Sequence, residues 1–328
     1  TCWGQPKTTK EMIDGLKAVG FRTIRIPISW NQHVLNDGKY TIDSMWMARV
    51  KEIVDWAYSQ KMFVIINSHH DCNETDKEIK DGAGFYYPSK LNEAKSKAYL
   101  KSIWKQIATE FADYDNHLIF ETMNEPRLRG TNFEWWYDPN SEECREARDV
   151  LYELNVATLE TIRSVKGNEK RLVMIPGLQA SPDSAFADGF KLPSDKSNMI
   201  ALSVHMYTPY DFAMKSPGDI NFYPKHQANL MDYFKKLNDK FIANGIPVVI
   251  GEYGAVNKNN LEEREKWFTY FITNSRRFGM PSCLWDNAVW EVKGTDANRF
   301  DEHFGYYNRK SQTWYFPSLI DKIMESCD

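Results

Sequence analysis

Apolar stretches of strand length alternate with amphipathic helical patterns along almost the whole of this 328-residue chain. The helical patterns, such as residues 10–19 and 43–60, carry apolar residues at i, i+3, i+4 and i+7, the spacing of a helix that covers a sheet. Regular alternation of this kind predicts a parallel sheet with right-handed crossovers. The predicted strands are residues 21–29, 63–69, 118–125, 172–177, 199–207, 248–254 and 283–288.

Seven strands and about eight helices favour an α/β chain folded as a (β/α)8 TIM barrel, which needs one further strand. We expect the missing strand to be the first, because the sequence opens inside or just before the first helical pattern. The rival fold is a doubly wound open sheet, but the glycine-rich turn typical of that fold after its first strand is absent, which argues against a nucleotide site. Gly20 and Gly245 precede strands and are predicted to end helices in the left-handed conformation. No linker or repeat interrupts the pattern, so we predict a single domain over residues 1–328.

Composition narrows the class of protein. Hydrophobic residues make up 42% of the chain and charged residues 26%, as in ordinary globular proteins. The net charge of −4 argues against a nucleic-acid partner, and no apolar run approaches the length of a membrane span. The widely spaced cysteines form no CxxC pair and indicate neither a zinc site nor a disulfide-rich scaffold, so their pairing is left open. They are Cys2, Cys72, Cys144, Cys283 and Cys327.

Polar and aromatic side chains gather at the ends of six predicted strands. In a barrel the carboxyl ends of the strands meet at one face, where active sites lie. Packing alone does not account for six independent strands that end in this way, so we predict a site at that face. Its candidate residues are Arg25, Asn67, His69, His70, Asn124, Glu125, His205, Tyr207, Glu252 and Trp285.

Two of these strands end in a glutamate. Structural roles are open to both, since Glu125 could cap a helix and Glu252 could form an ion pair with Arg25. Two carboxylates from separate strands also suggest cleavage of a glycosidic bond, in which one acid protonates the leaving oxygen and the other carboxylate attacks or activates water. Their pKa values must then differ, one raised by the neighbouring charge and the other lowered by a cation such as Arg25.

Two other classes of protein fit parts of the pattern. A metal-dependent hydrolase could use His69, His70 and His205, but adjacent strand residues point to opposite faces, so one site would not readily use the first two. No HExxH motif or comparable spacing supports a metal, and we predict neither a metal nor a cofactor. A non-catalytic sugar-binding barrel would use the aromatic residues, 14% of the chain, without needing both glutamates.

Several segments together closely resemble glycoside hydrolase family 5, in particular the subfamily 4 endoglucanases of rumen bacteria and anaerobic fungi. They are RIPISW, INSHHD, FETMNEP, SVHMYTPY, IGEYG and LWDN, and the resemblance extends from residue 8 to about residue 305. It implies a (β/α)8 barrel and a retaining cellulase that hydrolyses internal β-1,4-glucosidic bonds of cellulose and related β-glucans by double displacement. Xyloglucanase, mixed-linkage glucanase, xylanase and mannanase activities remain alternatives on the same scaffold.

The resemblance also implies roles for the strand-end residues. Glu125 matches the acid/base and Glu252 the nucleophile, with carboxyl groups about 5–5.5 Å apart in a retaining enzyme. Asn124 is expected to bond the 2-hydroxyl of the sugar, and Arg25 to keep the nucleophile ionised.

The remaining matches concern the surroundings of the two glutamates. Tyr207 is expected to donate a hydrogen bond to the nucleophile, and His205 to lie beside the acid/base. His69 and His70 match the pair on the third barrel strand, with His69 favoured for the cleavage subsite. Trp285 is expected to stack under the sugar at that subsite.

Other parts of the chain are candidates for substrate selection. The loops at residues 71–90, 126–143 and 206–224 are expected to choose among the β-glucans. We predict a secreted, extracellular enzyme that acts as a monomer on a β-glucan polysaccharide or oligosaccharide. Structural roles are equally open to the candidates for outer subsites, which are Trp30, His33, Asn67, Trp135, Trp136 and Trp290.

Overall fold

The computed structural model describes residues 4–72, 85–291 and 302–327. The chain divides into two compact units. The central unit is Arg22–Val204, and the terminal unit combines Thr1–Phe21 with His205–Asp328. Among the described helices, none is both long and apolar enough to cross a membrane. The single domain expected over residues 1–328 stays a prediction.

Helices and strands alternate through both units. In chain order the elements are α1 (Lys10–Val19), β1 (Thr23–Ile26), α2 (Ser44–Ser59), β2 (Phe63–Asn67), α3 (Glu93–Glu110), β3 (Leu118–Glu121), α4 (Glu142–Arg163), β4 (Val173–Pro176), α5 (Pro182–Phe186), β5 (Ile200–Met206), α6 (Tyr210–Ala213), α7 (Pro224–Lys240), β6 (Val248–Tyr253), α8 (Leu261–Arg277), β7 (Ser282–Leu284), β8 (Tyr307–Asn308), β9 (Thr313–Trp314) and α9 (Pro317–Glu325).

The central unit is built on a parallel sheet in which β1, β2, β3, β4 and the first part of β5 lie side by side in chain order. All residues of β3 and β4 are buried, as expected for parallel strands with both faces covered. The register places Asn67 opposite Glu121, at the carboxyl ends of β2 and β3. Polar side chains that are far apart in sequence therefore meet at one edge of this sheet.

The helices of the central unit begin at defined caps and bury one apolar face. Asp43 accepts a hydrogen bond from the Trp46 backbone N–H at 2.9 Å where α2 begins, which satisfies a donor that has no partner within the helix. On α3 the indole of Trp104 is fully buried. Its N–H donates to the Thr122 carbonyl at 3.0 Å, so the large ring packs against the sheet without an unpaired polar atom.

The terminal unit contains a second parallel pair, formed by β6 and β7. Every residue of β6 is buried, and the strand carries Glu252 one residue before its end. The pairing of β6 with β7 changes register between Ile250 and Tyr253, the part of β6 that contains Glu252. The antiparallel hairpin of β8 and β9 is a further element of this unit.

All seven predicted strands are present, each shorter than its sequence pattern or shifted by a residue. The polar residues after β2 and β3 leave the ladder because their backbones turn into the loops that carry the site. Gly245 has φ 78° and ψ 14°, the predicted left-handed conformation. Gly20 has a φ of 128° with ψ −6°, so it also occupies a region that favours glycine, although not the left-handed helical one. The β8–β9 hairpin was not predicted, since two-residue strands leave no periodic pattern.

Candidate active site

The end of β3 carries a buried glutamate that was not predicted for the site. Glu121 is fully buried, and its carboxylate accepts from Arg25 Nε at 2.8 Å, with Arg25 Nη2 at 2.6 Å. Asn67 Nδ2 at 2.9 Å and Ser203 Oγ at 2.6 Å donate to the same carboxylate. A buried charge is costly unless it is paired and hydrogen-bonded, and Glu121 meets both conditions. It therefore holds Arg25 in a fixed orientation.

Arg25 in turn orients Asn124. Arg25 Nη2 donates to Asn124 Oδ1 at 2.6 Å, which turns the amide nitrogen of Asn124, a donor, away from the guanidinium. The Asn124 backbone N–H donates to the Ser68 carbonyl at 2.9 Å and ties the segment after β3 to the end of β2. This orientation suits the predicted contact with a sugar hydroxyl. The predicted action of Arg25 on Glu252 stays a prediction.

The residues that follow β2 occupy different environments. His69 is buried and its Nδ1 lies 3.2 Å from Asn67 Nδ2, whereas His70 is exposed. Trp30 and Asn67 are fully buried, and the Trp30 indole N–H donates to the Asn67 carbonyl at 2.9 Å. This burial argues against the predicted place of Trp30 and Asn67 in outer subsites, because a sugar ring cannot stack on a covered face. Trp30 and Asn67 instead pack and hydrogen-bond within the buried layer next to Glu121.

A second buried acid stabilises the same loops. Asp71 is fully buried and accepts from the backbone N–H groups of Trp30 at 2.9 Å and Asn31 at 3.0 Å. The Ser68 hydroxyl also donates to Asp71, at 2.6 Å. Burial raises the pKa of Asp71 to about 6, against the lowering effect of these hydrogen bonds. Asp71 joins the loop after β1 to the loop after β2.

Glu125 lies in the loop after β3, with 16% of its side chain exposed. Arg127, a residue not predicted for the site, places Nη1 3.9 Å from Glu125 Oε2 and donates to the Glu125 carbonyl at 3.1 Å. Its Nε donates to Glu134 at 3.3 Å, and its guanidinium carbon lies 4.1 Å from the ring centroid of Trp135. Its position immediately after the NEP motif was the available sequence signal, but the contacts depend on the path of the loop.

In the terminal unit Glu252 lies beside the end of β5. The Tyr207 hydroxyl donates to Glu252 Oε2 at 2.7 Å, the contact predicted for these two residues. His205 Nδ1 lies 3.6 Å from the same oxygen, and Glu252 is only 5% exposed. The ring of Tyr207 packs against Phe304 at 5.2 Å. The predicted place of His205 beside Glu125 stays a prediction.

Two tryptophans follow β7. The half-buried Trp285 donates its backbone N–H to the Tyr253 carbonyl at 3.0 Å, which anchors it next to the end of β6. Trp290 is 40% exposed and its ring stacks on Tyr315 with centroids 4.8 Å apart. One face of Trp290 is therefore supported from below, as a stacking platform requires. Their roles in sugar binding stay predictions.

The three loops proposed to select the substrate differ in what the structure describes. The 71–90 loop falls largely on residues 73–84, outside the described part of the chain. The 206–224 loop contains α6 and is held by Lys258, whose Nζ donates to three backbone carbonyls. These belong to Asp211 at 3.0 Å, Phe212 at 2.6 Å and Asp219 at 3.1 Å.

The loop at 126–143 presents two tryptophans to solvent. Trp135 is 61% exposed and Trp136 is 69% exposed, so both are accessible to a ligand. Among the cysteines, Cys72 and Cys144 are buried free thiols, and Cys2 lies outside the described residues. The Cys72 thiol donates to the Arg127 carbonyl at 3.3 Å, which makes it part of the packing beneath this loop.

Comparison with known proteins decides the family. The model of the cellulase family, glycosyl hydrolase family 5, matches residues 1–289. The chain belongs to glycosyl hydrolase family 5. The expected resemblance to its subfamily 4 endoglucanases is confirmed by solved structures of that subfamily that align with nearly the whole chain.

Among characterised relatives, Endoglucanase A of Clostridium longisporum is 41% identical over 332 residues. That alignment covers 99% of this chain and 58% of the relative, so this family 5 chain spans less than two thirds of that protein.

Solved structures establish the fold class. The complex of a glycoside hydrolase 5 lichenase from a Caldicellulosiruptor species with cellotetraose is 40% identical, with a TM-score of 0.92 over 100% of this chain and 86% of that one. A GH5-4 broad specificity endoglucanase from Ruminococcus flavefaciens is 40% identical, with a TM-score of 0.87 over 99% of this chain and 89% of the other. The predicted (β/α)8 TIM-barrel class is confirmed, and the chain is a glycoside hydrolase by family.

Proposed function

We propose that this family 5 chain is a retaining endo-β-1,4-glucanase that hydrolyses internal bonds of cellulose and related β-glucans. The observation that carries the proposal is the strand-end carboxylate Glu252, nearly buried and hydrogen-bonded by Tyr207 at 2.7 Å. A fixed, nearly buried carboxylate beside a phenol suits a nucleophile, because the hydrogen bond holds the carboxylate in one orientation. Asn124, oriented by Arg25, supplies a matching donor for the 2-hydroxyl.

The mechanism has two steps. In the first, Glu252 attacks the anomeric carbon, the bond to the leaving oxygen breaks, and that oxygen takes the proton of Glu125. The product is a glycosyl ester on Glu252. In the second, Glu125 removes a proton from water, the water oxygen bonds to the anomeric carbon, and the ester bond breaks to restore the Glu252 carboxylate. Two inversions retain the configuration.

The substrate class is supported by the relatives. Endoglucanase A of Clostridium longisporum is named for attack on internal glucan bonds, and the Caldicellulosiruptor lichenase forms a complex with cellotetraose. The exposed Trp135, Trp136 and Trp290 offer flat apolar faces of the kind on which glucose units stack. We further propose that the enzyme is secreted and acts as a monomer, since it meets an insoluble polymer outside the cell.

Hydrolysis of five polysaccharides tests the proposal. Carboxymethylcellulose, barley glucan, xyloglucan, xylan and mannan are incubated with wild type and Glu252→Ala, with chelator present in a parallel series. We expect the wild type to prefer β-glucans, the chelator to have no effect, and the variant to lose at least 10³-fold in rate. Proton NMR of the first product should show retained anomeric configuration. A variant as active as wild type, or an inverted product, would overturn the mechanism.

A further inference from the structure

Arg127 makes two contacts with Glu125 and is held by two further residues. Its Nη1 lies 3.9 Å from Glu125 Oε2 and donates to the Glu125 carbonyl oxygen at 3.1 Å. Its Nε donates to Glu134 Oε1 at 3.3 Å, and its guanidinium lies over the ring of Trp135 at 4.1 Å. The side chain is 10% exposed. A guanidinium that is bonded in its plane and covered on one face keeps a single orientation.

The loop that carries these partners is itself fixed. Glu134 Oε2 accepts from the Gly130 backbone N–H at 3.0 Å, so the carboxylate that holds Arg127 does not rotate freely. Gln179 spans the loop, because its backbone N–H donates to the Pro126 carbonyl at 2.8 Å and its side-chain amide donates to the Phe133 carbonyl at 3.1 Å. Arg127 therefore connects the segment that contains Glu125 to a loop whose conformation is fixed by these hydrogen bonds.

We propose that Arg127, held by Glu134 and Trp135, is a positioning residue that aligns the Glu125 carboxyl group for proton transfer to the leaving sugar. Trp135 packs one face on Arg127, and the residue is 61% exposed. A sugar on the leaving-group side that stacks on that outer face would tighten the same arrangement. The inference rests on the proposed function, in which Glu125 is the acid.

The physical reason lies in the geometry that proton transfer demands. A general acid must come within hydrogen-bonding reach of the oxygen that it protonates, and misplacement by about 1 Å costs about 10²-fold in rate. Glu125 is partly exposed and lies beyond the end of β3, so the strand ladder does not orient its side chain. The contacts of Arg127 with both the backbone and the carboxylate of Glu125 supply that orientation.

Substrates with different leaving groups test this role. Dinitrophenyl β-cellobioside has a leaving group that departs without protonation, whereas cellotetraose needs the acid. We expect Arg127→Met to lower kcat/KM for cellotetraose by about 10- to 100-fold and for the dinitrophenyl substrate by less than about 3-fold. Because the comparison is a ratio on one protein sample, a reduced folded fraction cancels. Equal losses on both substrates, or no loss on cellotetraose, would overturn the proposal.

Matched variants sharpen the experiment. Arg127→Lys keeps the charge without the planar fork and should recover part of the cellotetraose activity, whereas a lysine variant no better than methionine would contradict the role of the cation. Arg145→Met is the control, because Arg145 donates to the Pro139 carbonyl of the same loop at 2.9 Å. It should match wild type on both substrates. A defect like that of Arg127→Met would mean that any loosening of the loop suffices.

A double-mutant cycle tests the link to Trp135. Trp135→Ala and Arg127→Met should be non-additive on cellotetraose, because each removes support from the same carboxyl group. Additive losses would overturn the link between the two side chains.

Glu125→Ala separates the inference from the function on which it rests. If that variant keeps wild-type activity on cellotetraose, the proposed function fails. If it loses activity only on cellotetraose while Arg127→Met behaves as wild type, the positioning role alone fails.

Discussion

Glu121 and Glu125 lie four residues apart in one segment, yet their surroundings differ sharply. Glu121 is the last residue of β3, is fully buried, and has Arg25 Nη2 2.6 Å from its carboxylate. Glu125 lies in the loop beyond, is 16% exposed, and has Arg127 Nη1 at 3.9 Å. The Glu121 carboxylate at the strand end is held by close hydrogen bonds, whereas the Glu125 carboxyl group in the loop lies beside a cation at a longer distance.

The different surroundings of Glu121 and Glu125 distinguish a structural acid from a candidate catalytic acid within one motif. The Glu121 carboxylate accepts close hydrogen bonds from Arg25, Asn67 and Ser203, which hold it in one orientation. A partly exposed carboxyl group can exchange protons with a bound ligand. Substitution of Glu121 should therefore lower the stability of the protein, whereas substitution of Glu125 should lower activity and leave stability nearly unchanged.

Glu125→Ala should produce the largest effect, confined to activity. Loss of the acid should lower kcat/KM for cellotetraose by about 10²- to 10⁴-fold, because the leaving oxygen is no longer protonated. The melting temperature should change by less than about 2 °C, since a partly exposed side chain contributes little to stability. Steady-state kinetics and calorimetry measure the two quantities. A large fall in melting temperature would make Glu125 structural and erase the contrast with Glu121.

Glu121→Gln, unlike Glu125→Ala, should lower the stability of the protein. The substitution leaves the 3% exposed Arg25 side chain as a buried cation without its carboxylate, which costs about 3–5 kcal/mol in the free energy of unfolding. Urea unfolding followed by tryptophan fluorescence measures this loss. Asp14→Asn, which removes the carboxylate of an exposed ion pair with Lys10, is the matched control and should change stability by less than about 1 kcal/mol. Stability equal to wild type would show that Glu121 is not needed to hold Arg25.

Asp71 extends the comparison to a buried acid that is bonded by neutral donors. Its pKa in the folded protein is raised by burial to about 6 from its usual 3.8. The folded state therefore binds the proton of Asp71 more tightly than the unfolded chain does. The contribution of Asp71 to the free energy of unfolding is complete below about pH 3.8 and is lost as the pH rises through 6. Two pKa units correspond to about 3 kcal/mol.

Asp71→Asn should remove this part of the pH dependence, as unfolding at pH 4, 5, 6 and 7 would measure. An unchanged slope would mean that Asp71 is ionised throughout.

The sequence patterns located the strand ends but not the contacts among them. Glu252 and Tyr207 were predicted to meet, because each ends a recognisable apolar run that matches a family motif. The pairing of Glu121 with Arg25 was not predicted, since it depends on the register of three strands and joins residues 96 apart. A local pattern reports which face a side chain takes and carries no information on which residue lies opposite.

For Trp30 the sequence left an outer-subsite role and a structural role both open, for a related reason. Tryptophan near a site can stack on a ligand or fill the core, and the choice depends on which loops cover it. Here the backbone N–H of Trp30 donates to Asp71 and its indole N–H donates to the Asn67 carbonyl, so both groups are bonded to residues at or after the end of β2. Arg127 was missed likewise, because its contact with Trp135 depends on the loop path rather than on sequence spacing.

Substitution of Lys258 should give the smallest effect on stability. It tests whether a charged side chain held by several hydrogen bonds stabilises the structure when its charge is positive, as Glu121 is expected to do with a negative charge. Its ammonium donates to three carbonyls of the 206–224 loop, but the side chain is only half-buried, so water can replace those bonds in part. Lys258→Met keeps the stem and should lower the free energy of unfolding by about 1–2 kcal/mol. Amide exchange at Asp219, whose N–H donates to the Asp211 carbonyl at 2.8 Å, should accelerate as the loop loosens. Lys236→Met, from an exposed pair with Asp232, is the control and should leave both unchanged. If Lys258→Met changes neither the free energy of unfolding nor the amide exchange at Asp219, the hydrogen bonds to the carbonyls do not restrain the loop. Only a paired, buried charge such as that of Glu121 could then be called structural.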